Sequence, residues 1–498
     1  MSINSNTINL SCLGLLFCCT GADANIVPSL AISDHMVLQR GITDPIWGSA
    51  DAGESVTVKF NGQTKSALAG ADGKWMIKLD VMPAGGPFVM TLQGKNTVTL
   101  QDVMLGEVWL ASGQSNMDKT LGAGDTANAA DFPLLRYNTS QLTDGKWLVV
   151  TPATAASMSK TAYYFGRDLQ QKLGVAVGIL IGAQGSTHIQ RWTDPTVVPA
   201  DPSFTRGGDL FYYYLEPFRP YAIKGAIWYQ GEADADGGMG YASVYGQRLQ
   251  SLIKMWRKVW GQGDFAFYIV QLPNYHALQI NPAQADTSDR WAFVRGEQSA
   301  ALALPNTAVA VTMDAGEAGN IHPDNKSPFG YRLSLAARAL LYGESNLVYS
   351  GPRFRSLSIR GSRIHLRFDF TGGGMIAKGG GPLKGFTIAG KDNVFAWADA
   401  QIHGDTITLS SAQVASPTQA RYAWADNPIF NLYNAEGLPA SPFQSSGTGT
   451  VSLAAPDKTH RKAVLEMPYG MSGNYRNLLG RRSAIESKDE IRFNRPVP

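Results

Sequence analysis

A serine and a histidine, each placed just after an apolar run, are the residues of this chain best suited to chemistry. Ser115 follows Val108–Ala111 across a short turn, and His322 follows Thr307–Met313. A serine hydroxyl is a weak nucleophile until a base takes its proton, and an imidazole with a pKa of about 6.5 is a suitable base. The carboxyl ends of parallel strands meet at one edge of a sheet, so the pair predicts nucleophilic ester hydrolysis.

Groups that stabilise an oxyanion follow two further apolar runs. Gly185 lies in the turn after Val175–Ile181, and Gln230 comes directly after Ala226–Tyr229. The attacked carbonyl of an ester becomes an oxyanion, so the N–H groups of Ser115 and Gly185 and the amide of Gln230 are predicted to form an oxyanion hole. Each residue alone has a plainer explanation as a turn or core residue. The prediction depends on suitable groups following several strands of one sheet.

The elements that must position these groups alternate between residues 105 and 345. Five apolar runs are separated by segments whose apolar side chains have a helical spacing. The runs are Val108–Ala111, Val175–Ile181, Ala226–Tyr229, Phe265–Leu272 and Thr307–Met313, and the helical stripes are Ala162–Leu173, Tyr245–Trp260 and Leu333–Leu341. This α/β alternation predicts a five-stranded parallel sheet covered by helices on both faces.

Regions of short alternating strands flank this segment. Residues 25–104 and 346–446 each predict a β-sandwich-like domain. In the first of them, Ser55–Phe60 alternates polar and apolar residues and meets Asn61-Gly62, a strong hairpin signal. Residues 447–498 have no apolar stripe that would pack, so we expect a poorly ordered tail.

Composition limits the classes of function. The net charge of +3 over 498 residues, without a long basic run, argues against a nucleic-acid surface. All three cysteines lie in the first twenty residues, which excludes cysteine catalysis, disulfides and cysteine-ligated metals from the rest of the chain.

The first residues predict export. The short apolar run Leu10–Cys19 is followed by Ala22-Asp23-Ala24, the pattern of a signal peptide spanning residues 1–24, although no Lys or Arg precedes the run. We therefore expect a secreted or periplasmic protein with no membrane association beyond export. No apolar stretch reaches the ~18 residues of a membrane span.

Several motifs together resemble the sialate O-acetylesterase family of the SGNH hydrolases. They run in chain order over roughly residues 28–445 and are Met36–Gln39, Gly106–Met117, Tyr164–Arg167, Ile227–Glu232, Trp260–Asp264, Ile321–Pro323 and Asn431–Phe443. The resemblance implies a three-layer α/β/α SGNH-hydrolase domain flanked by β-domains. It also implies release of acetate from O-acetylated sugars without a metal or other cofactor.

By position, the resemblance makes Ser115 the nucleophile and His322 the base, with the N–H groups of Ser115 and Gly185 and the Gln230 side chain as the oxyanion hole. Four residues beside these motifs are expected to contact the substrate, namely Gln114, Asn116, Glu232 and Trp192.

The chain departs from the family pattern at two places. Ser186 stands where a second glycine is expected, and Gly319 stands where many SGNH enzymes carry the acid of the triad. The candidates to orient the imidazole of His322 are a backbone carbonyl or one of the carboxylates Asp314, Glu317 and Asp324. We prefer Asp314, which ends its strand.

Two classes of acetylated sugar remain open as the substrate. The carboxylate of a sialic acid would favour an arginine, for which the candidates are Arg167, Arg191 and Arg295. A neutral acetylated hemicellulose would favour aromatic platforms, for which the candidates are Trp192, Tyr212, Tyr213 and Tyr214. The aromatic residues favour plant oligosaccharides such as xylan or xyloglucan.

Two other functions compete with the esterase. A glycosidase would use paired carboxylates such as Glu232 and Asp314, but it would leave Ser115 and His322 without a role. A non-catalytic sugar-binding protein would use the two β-domains. The oligomeric state is not predicted.

Overall fold

The computed structural model describes residues 25–140, 145–197, 207–283 and 290–445. The predicted signal peptide, residues 1–24, and the predicted tail, residues 447–498, lie outside these ranges. Within them, no helix is both long enough and apolar enough to cross a bilayer.

The N-terminal region is built from short strands. They are β1 (Val27–Pro28), β2 (Val37–Gln39), β3 (Asp44–Ser49), β4 (Ser55–Phe60), β5 (Gln63–Leu68), β6 (Lys74–Leu79) and β7 (Gly85–Gln93). The predicted hairpin is confirmed, since β4 and β5 pair antiparallel on either side of Asn61-Gly62. Both turn residues have a positive φ, as such a turn requires.

One long strand, β8 (Thr97–Gly113), connects this region to the centre of the molecule. Its first half pairs antiparallel with β7. Its second half is a central strand of the parallel sheet. The predicted domain boundary between residues 104 and 105 therefore falls inside a single continuous strand.

The central sheet continues with β9 (Phe132–Thr139), β10 (Leu148–Val150), β11 (Ala176–Ala183), β12 (Gly225–Tyr229), β13 (Ala266–Val270) and β14 (Thr307–Ala310). The strand order is β10-β9-β11-β8-β12-β13-β14, and within the described residues all neighbours are parallel except the β10–β9 pair. All five predicted runs are strands of this sheet.

The prediction of five parallel strands missed β2, which pairs parallel with β8, and β9, which gave no clear apolar run. Arg136 in β9 is buried, and the guanidinium donates to the carbonyls of His35 (3.1 Å) and Asp102 (2.5 Å) and to the Asp102 carboxylate (2.9 Å). A buried arginine satisfied by partners distant in the chain cannot be recognised from local periodicity.

The longer helices are α3 (Lys160–Leu173), α6 (Tyr245–Trp260), α7 (Arg290–Gln298) and α8 (Ser327–Leu341), and the short ones are α1 (Ser115–Asp118), α2 (Asp125–Asn128), α4 (Glu232–Asp236) and α5 (Met239–Ala242). The three predicted helical stripes are confirmed in α3, α6 and α8. Helix α3 packs against α8 and the sheet, and α6 packs against α7. Left-handed glycines, Gly174 and Gly261, end α3 and α6.

The C-terminal region returns to antiparallel strands. They are β15 (Arg353–Arg360), β16 (Arg363–Asp369), β17 (Met375–Ala377), β18 (Phe386–Ala389), β19 (Ala396–Trp397), β20 (Asp399–His403), β21 (Thr406–Ser410), β22 (Gln419–Tyr422), β23 (Leu432–Asn434) and β24 (Phe443–Gln444). They form small sheets around a second buried apolar cluster, which also includes Val311 and Met313 from the segment after β14.

Candidate active site

Ser115 lies at the carboxyl end of β8, where the backbone turns sharply into α1. Gly113 makes this turn possible, because it has a φ of 143° and a Cβ there would lie 2.0 Å from the carbonyl oxygen of Tyr229. The N–H of Gln114 then donates to the same carbonyl at 2.9 Å. The start of α1 is thus anchored to the end of the neighbouring strand β12.

His322 lies in the loop between β14 and α8. Hydrogen bonds within the loop stabilise its conformation. The His322 N–H donates to Asn320 Oδ1 at 3.0 Å, and the Asp324 N–H donates to Glu317 Oε1 at 2.8 Å. This loop brings His322 Nε2 to 2.8 Å from Ser115 Oγ across 207 residues of sequence. The structure therefore brings together the two residues on which the sequence prediction depends.

The surroundings of His322 keep its imidazole neutral. Partial burial lowers the pKa of His322 below its ordinary value of 6.5, and the cationic side chains of Lys119 and Lys326 lower the pKa further. Lys119 follows α1 directly, and its ammonium lies 3.8 Å from the Asp324 carboxylate. A neutral imidazole is the form that accepts a proton from a serine hydroxyl.

Gly185 lies directly beside the serine. A Cβ at this glycine would contact Ser115 Cβ at 3.4 Å. Neither the Ser115 N–H nor the Gly185 N–H donates a hydrogen bond to another described residue. The next residue, Ser186, has a left-handed φ of 57°, which explains why a glycine is expected at this position.

The prediction that Gln230 donates into the oxyanion hole is wrong in this structure. Its amide nitrogen donates to the carbonyl oxygen of Thr187 at 3.0 Å and to Asp234 Oδ2 at 2.6 Å. Its amide oxygen accepts from the hydroxyl of Tyr245 at 2.9 Å. Because both amide hydrogens are used, Gln230 supports the turn that carries Gly185 and has no donor left for a substrate.

The preference for Asp314 as the partner of His322 is also wrong. Both carboxylate oxygens of Asp314 accept from the guanidinium of Arg332 on α8, at 2.5 and 2.8 Å. A half-buried carboxylate pairs with a guanidinium whenever the fold brings one within reach.

The other two candidate carboxylates are engaged elsewhere as well. Glu317 accepts from Asn320 Nδ2 (3.0 Å) and from the Asp324 N–H, and Asp324 is exposed and near Lys119. Among the described residues, Ser115 is the one hydrogen-bond partner of the His322 ring.

The four residues expected to contact the substrate are all buried, with exposed fractions of 3% for Gln114, 0% for Asn116, 1% for Glu232 and 0% for Trp192. Gln114 Oε1 accepts from the N–H of Ala233 at 3.2 Å, and Trp192 Nε1 donates to Thr187 Oγ1 at 3.1 Å. These side chains support the site from below its surface, so the expectation of substrate contact was wrong. Proximity to a motif in sequence does not show whether a side chain points outward.

Aromatic residues line the surface next to Gly185. The Tyr214 hydroxyl donates to Gln184 Oε1, and the rings of Tyr213 and Tyr214 lie 4.8 Å apart. Tyr213 is 70% exposed. Tyr213 is therefore an exposed ring next to Tyr214, which is hydrogen-bonded to the turn that carries Gly185.

The three candidate arginines are all engaged with other residues. Arg295 is fully buried and donates to main-chain carbonyls, including those of Leu272 and Ala425. Arg191 forms an ion pair with Asp209 at the surface. Arg167 stacks against the rings of Tyr163 and Tyr164. Sequence reasoning missed Lys119 and Lys326, because nothing local distinguishes a lysine near an active site from any other.

Comparison with known proteins shows what this chain is similar to. Residues 105–339 match the model of the family described as "carbohydrate esterase, sialic acid-specific acetylesterase". The chain is 28% identical to the sialate O-acetylesterase of Rattus norvegicus over 515 residues, which covers 83% of this chain and 93% of that protein. It is 28% identical to the Homo sapiens sialate O-acetylesterase over 488 residues, covering 83% and 91%.

A solved structure is similar over most of the chain. The crystal structure of a carbohydrate acetylesterase from Xanthomonas citri has 36% sequence identity and a TM-score of 0.78, covering 85% of this chain and 100% of that one. The chain therefore belongs to the sialate O-acetylesterase-like family of carbohydrate esterases and is a carbohydrate O-acetylesterase.

Proposed function

We propose that this enzyme removes acetyl groups from carbohydrates through a Ser-His acyl-enzyme mechanism. Ser115 Oγ attacks the acetyl carbonyl carbon while His322 Nε2 takes the hydroxyl proton. The carbonyl oxygen becomes an oxyanion and accepts hydrogen bonds from the N–H groups of Ser115 and Gly185. The bond to the sugar oxygen then breaks, and His322 returns the proton to that oxygen.

In the second half of the reaction, water replaces the sugar. His322 takes a proton from the water, whose oxygen attacks the acetyl-Ser115 carbonyl, and acetate leaves as Ser115 regains its proton. The observation that carries this proposal is the 2.8 Å separation of Ser115 Oγ and His322 Nε2 at the edge of a parallel sheet. We further propose that the sheet with the helix pairs α3/α8 and α6/α7 forms the three-layer core of an SGNH hydrolase.

For the substrate, we propose a neutral acetylated oligosaccharide of the xylan or xyloglucan type. Tyr213 offers an exposed ring on which a sugar can stack. The guanidinium of Arg191, which would otherwise suit the carboxylate of a sialic acid, is paired with Asp209. Lys119, which is exposed near His322, is the cation that would bind a sialate if one were the substrate.

Acetate release tests the reaction. We expect wild-type protein to release acetate from p-nitrophenyl acetate, and Ser115→Ala to lose at least ~10³-fold in kcat while remaining folded. A folded Ser115→Ala protein with full activity would overturn the mechanism.

A panel of substrates tests the specificity. We expect higher kcat/KM on acetylated xylan oligosaccharides than on acetylated sialic acids. Tyr213→Ala should raise KM for the oligosaccharide and leave p-nitrophenyl acetate hydrolysis unchanged, since only the larger substrate reaches the ring. Preference for the sialic acids, together with its loss in Lys119→Ala, would reverse the substrate proposal.

We also propose that the protein is exported, on the basis of residues 1–24. N-terminal sequencing of the exported protein is expected to begin at Asn25. A protein that retains Met1 would contradict this.

A further inference from the structure

The side chain that follows the nucleophile makes contacts that the reaction scheme does not use. Asn116 is fully buried directly after Ser115. Its Nδ2 donates to Glu232 Oε1 at 2.6 Å and to the carbonyl oxygen of Ile321 at 3.0 Å. Its Oδ1 accepts from the ammonium of Lys326. Both donors and the acceptor of one amide are therefore used by three other segments of the chain.

The partners determine which way round the amide lies. The carbonyl oxygen of Ile321 can only accept a hydrogen bond, so it must face the amide nitrogen, and the amide oxygen is left to face the Lys326 side chain. An inverted amide would place its oxygen against the carbonyl oxygen of Ile321, and neither atom could donate. The orientation of Asn116 is thus specified by the chemistry of its neighbours.

These contacts join the two segments that carry the reacting groups. Asn116 is covalently next to Ser115, and Ile321 is covalently next to His322. Lys326 lies at the N-terminus of α8, where its carbonyl accepts the N–H groups of Phe329 and Gly330. A shift of the histidine loop relative to α1 would have to break hydrogen bonds of a buried amide, which is costly without water to replace them.

We propose that Asn116, held between Glu232 and Lys326, is a positioning residue that sets the separation of Ser115 and His322. This inference rests on the proposed Ser-His mechanism. Asn116 touches no reacting atom and acts through the backbone on both sides of the catalytic pair. Glu232 and Lys326 act through Asn116.

The electrostatics of the buried groups agree with this role. Burial raises the pKa of Glu232 to about 7 and lowers the pKa of Lys326 to about 7, so neither group is held in a strongly fixed charge state. Both are essentially inaccessible to solvent, and one oxygen of Glu232 has no hydrogen-bond partner among the described residues. Buried ionisable groups that do not touch substrate are retained at a cost, which is consistent with a role in specifying geometry.

Asn116→Asp tests the amide with little change in size. It replaces the Nδ2 donor by an oxygen that faces Glu232 and the Ile321 carbonyl. We expect kcat for p-nitrophenyl acetate to fall about 30–100-fold with KM within about threefold, because misplacing the pair affects the chemical step. The matched control is Asn434→Asp, since Asn434 is equally buried, donates to the Ser350 carbonyl (3.1 Å) and accepts from the Leu438 N–H (2.8 Å). The control should lose stability without losing kcat.

Two substitutions of similar size at Glu232 distinguish the loss of its hydrogen bond to Asn116 from a general loss of packing. Glu232→Gln keeps an acceptor for Asn116 Nδ2, and Glu232→Met removes it at similar size. We expect kcat to stay within about fivefold of wild type for Glu232→Gln and to fall about 30-fold for Glu232→Met. Equal loss in both variants would contradict a role through the hydrogen bond.

Lys326→Met adds a readout in the pH profile. The charged groups that lower the pKa of His322 are Lys119, directly after α1, and Lys326, at the N-terminus of α8. The carboxylates of Glu317 and Asp324 belong to the same loop as His322. Loss of the Lys326 cation raises the pKa of His322, so the acid limb of kcat/KM should move to higher pH while kcat at the optimum also falls.

The inference is overturned if folded Asn116→Asp, Glu232→Met and Lys326→Met all keep kcat within about twofold of wild type. With Ser115→Ala inactive, that result would leave the proposed mechanism standing. An active Ser115→Ala protein would overturn both. If Asn116→Asp does not fold, the comparison of the two Glu232 variants decides.

Discussion

His322 has to be neutral to take the proton of Ser115, so its pKa sets the acid limit of activity. Burial and the charges of Lys119 and Lys326 lower that pKa from 6.5. Below its pKa the imidazole carries a proton and cannot act as a base. The lowered pKa therefore extends activity towards lower pH, and kcat/KM should fall with a midpoint below 6.5.

Removing Lys119, an exposed cation that lowers the pKa of His322, should move this midpoint to higher pH. In Lys119→Ala the charged form of His322 is less disfavoured, so its pKa rises and the acid limb of kcat/KM shifts to higher pH. Lys59→Ala, an exposed lysine on β4, is the matched control and should leave the profile unchanged. A profile of Lys119→Ala that coincides with wild type would contradict the electrostatic account.

Asp314 provides a second test at the scale of single residues. Because its carboxylate is bound to Arg332, Asp314→Asn should lower stability but keep kcat within about tenfold of wild type, whereas loss of a true triad acid costs about 10⁴-fold. Steady-state kinetics and thermal unfolding of the same preparation measure both effects. A loss approaching that of Ser115→Ala would restore Asp314 to the triad.

Residue type and position after a strand sufficed to predict the meeting of Ser115, His322 and Gly185. They did not suffice to predict the hydrogen-bond partners of Asp314 and Gln230. The partner of a polar side chain depends on what distant segments bring beside it, here Arg332 for the first and Asp234 for the second. The sequence also did not show which side chains are exposed. Trp192 was expected to contact the substrate, but it is fully buried.

At the scale of elements, the active site depends on the close approach of the β8 backbone at Gly113 to the β12 backbone at Tyr229. Gly113 has no room for a side chain, because a Cβ would overlap the Tyr229 carbonyl, and its φ of 143° is one that residues with a side chain rarely adopt. The turn that presents Ser115 therefore needs a glycine at this position. Sequence periodicity predicted the strands but not this contact, which involves two backbones far apart in the chain.

Gly113→Ala should consequently lower the free energy of unfolding by at least ~3 kcal/mol, through overlap and backbone strain combined. Thermal unfolding measures the effect. The control is Gly240→Ala, since Gly240 lies in α5, has no positive φ, and would place an added Cβ more than 4 Å from any neighbouring described atom outside its own helix turn. An unchanged midpoint for Gly113→Ala would show that the turn tolerates a side chain.

At the scale of the whole molecule, the continuity of β8 couples the N-terminal strands to the active site. The same strand pairs with β7 at one end and carries Ser115 at the other. Alternating patterns predicted the strands on both sides, but the pattern change near residue 105 suggested a domain boundary. A strand that pairs antiparallel at one end and parallel at the other looks like two strands when only side-chain periodicity is considered.

A core change in the N-terminal region should therefore reduce the stability of the active site. Phe60 is buried and its ring lies 5.7 Å from that of Phe88. Phe60→Ala should destabilise by about 3–5 kcal/mol and lower the urea midpoint for loss of activity together with that for tryptophan fluorescence. Leu68→Ala, at a side chain that is 70% exposed, is the control. Activity that survives unfolding of the N-terminal strands would show that the two regions are independent.

The most direct test of the central claim is to map where a serine-specific fluorophosphonate reagent attaches to the folded enzyme. Such a reagent reacts with a serine that an adjacent base has activated. Peptide mass spectrometry should find the adduct on Ser115, with no labelling of Ser115→Ala and much slower labelling of His322→Gln. An adduct on a different residue, or equal labelling of Ser115→Ala, would contradict the account.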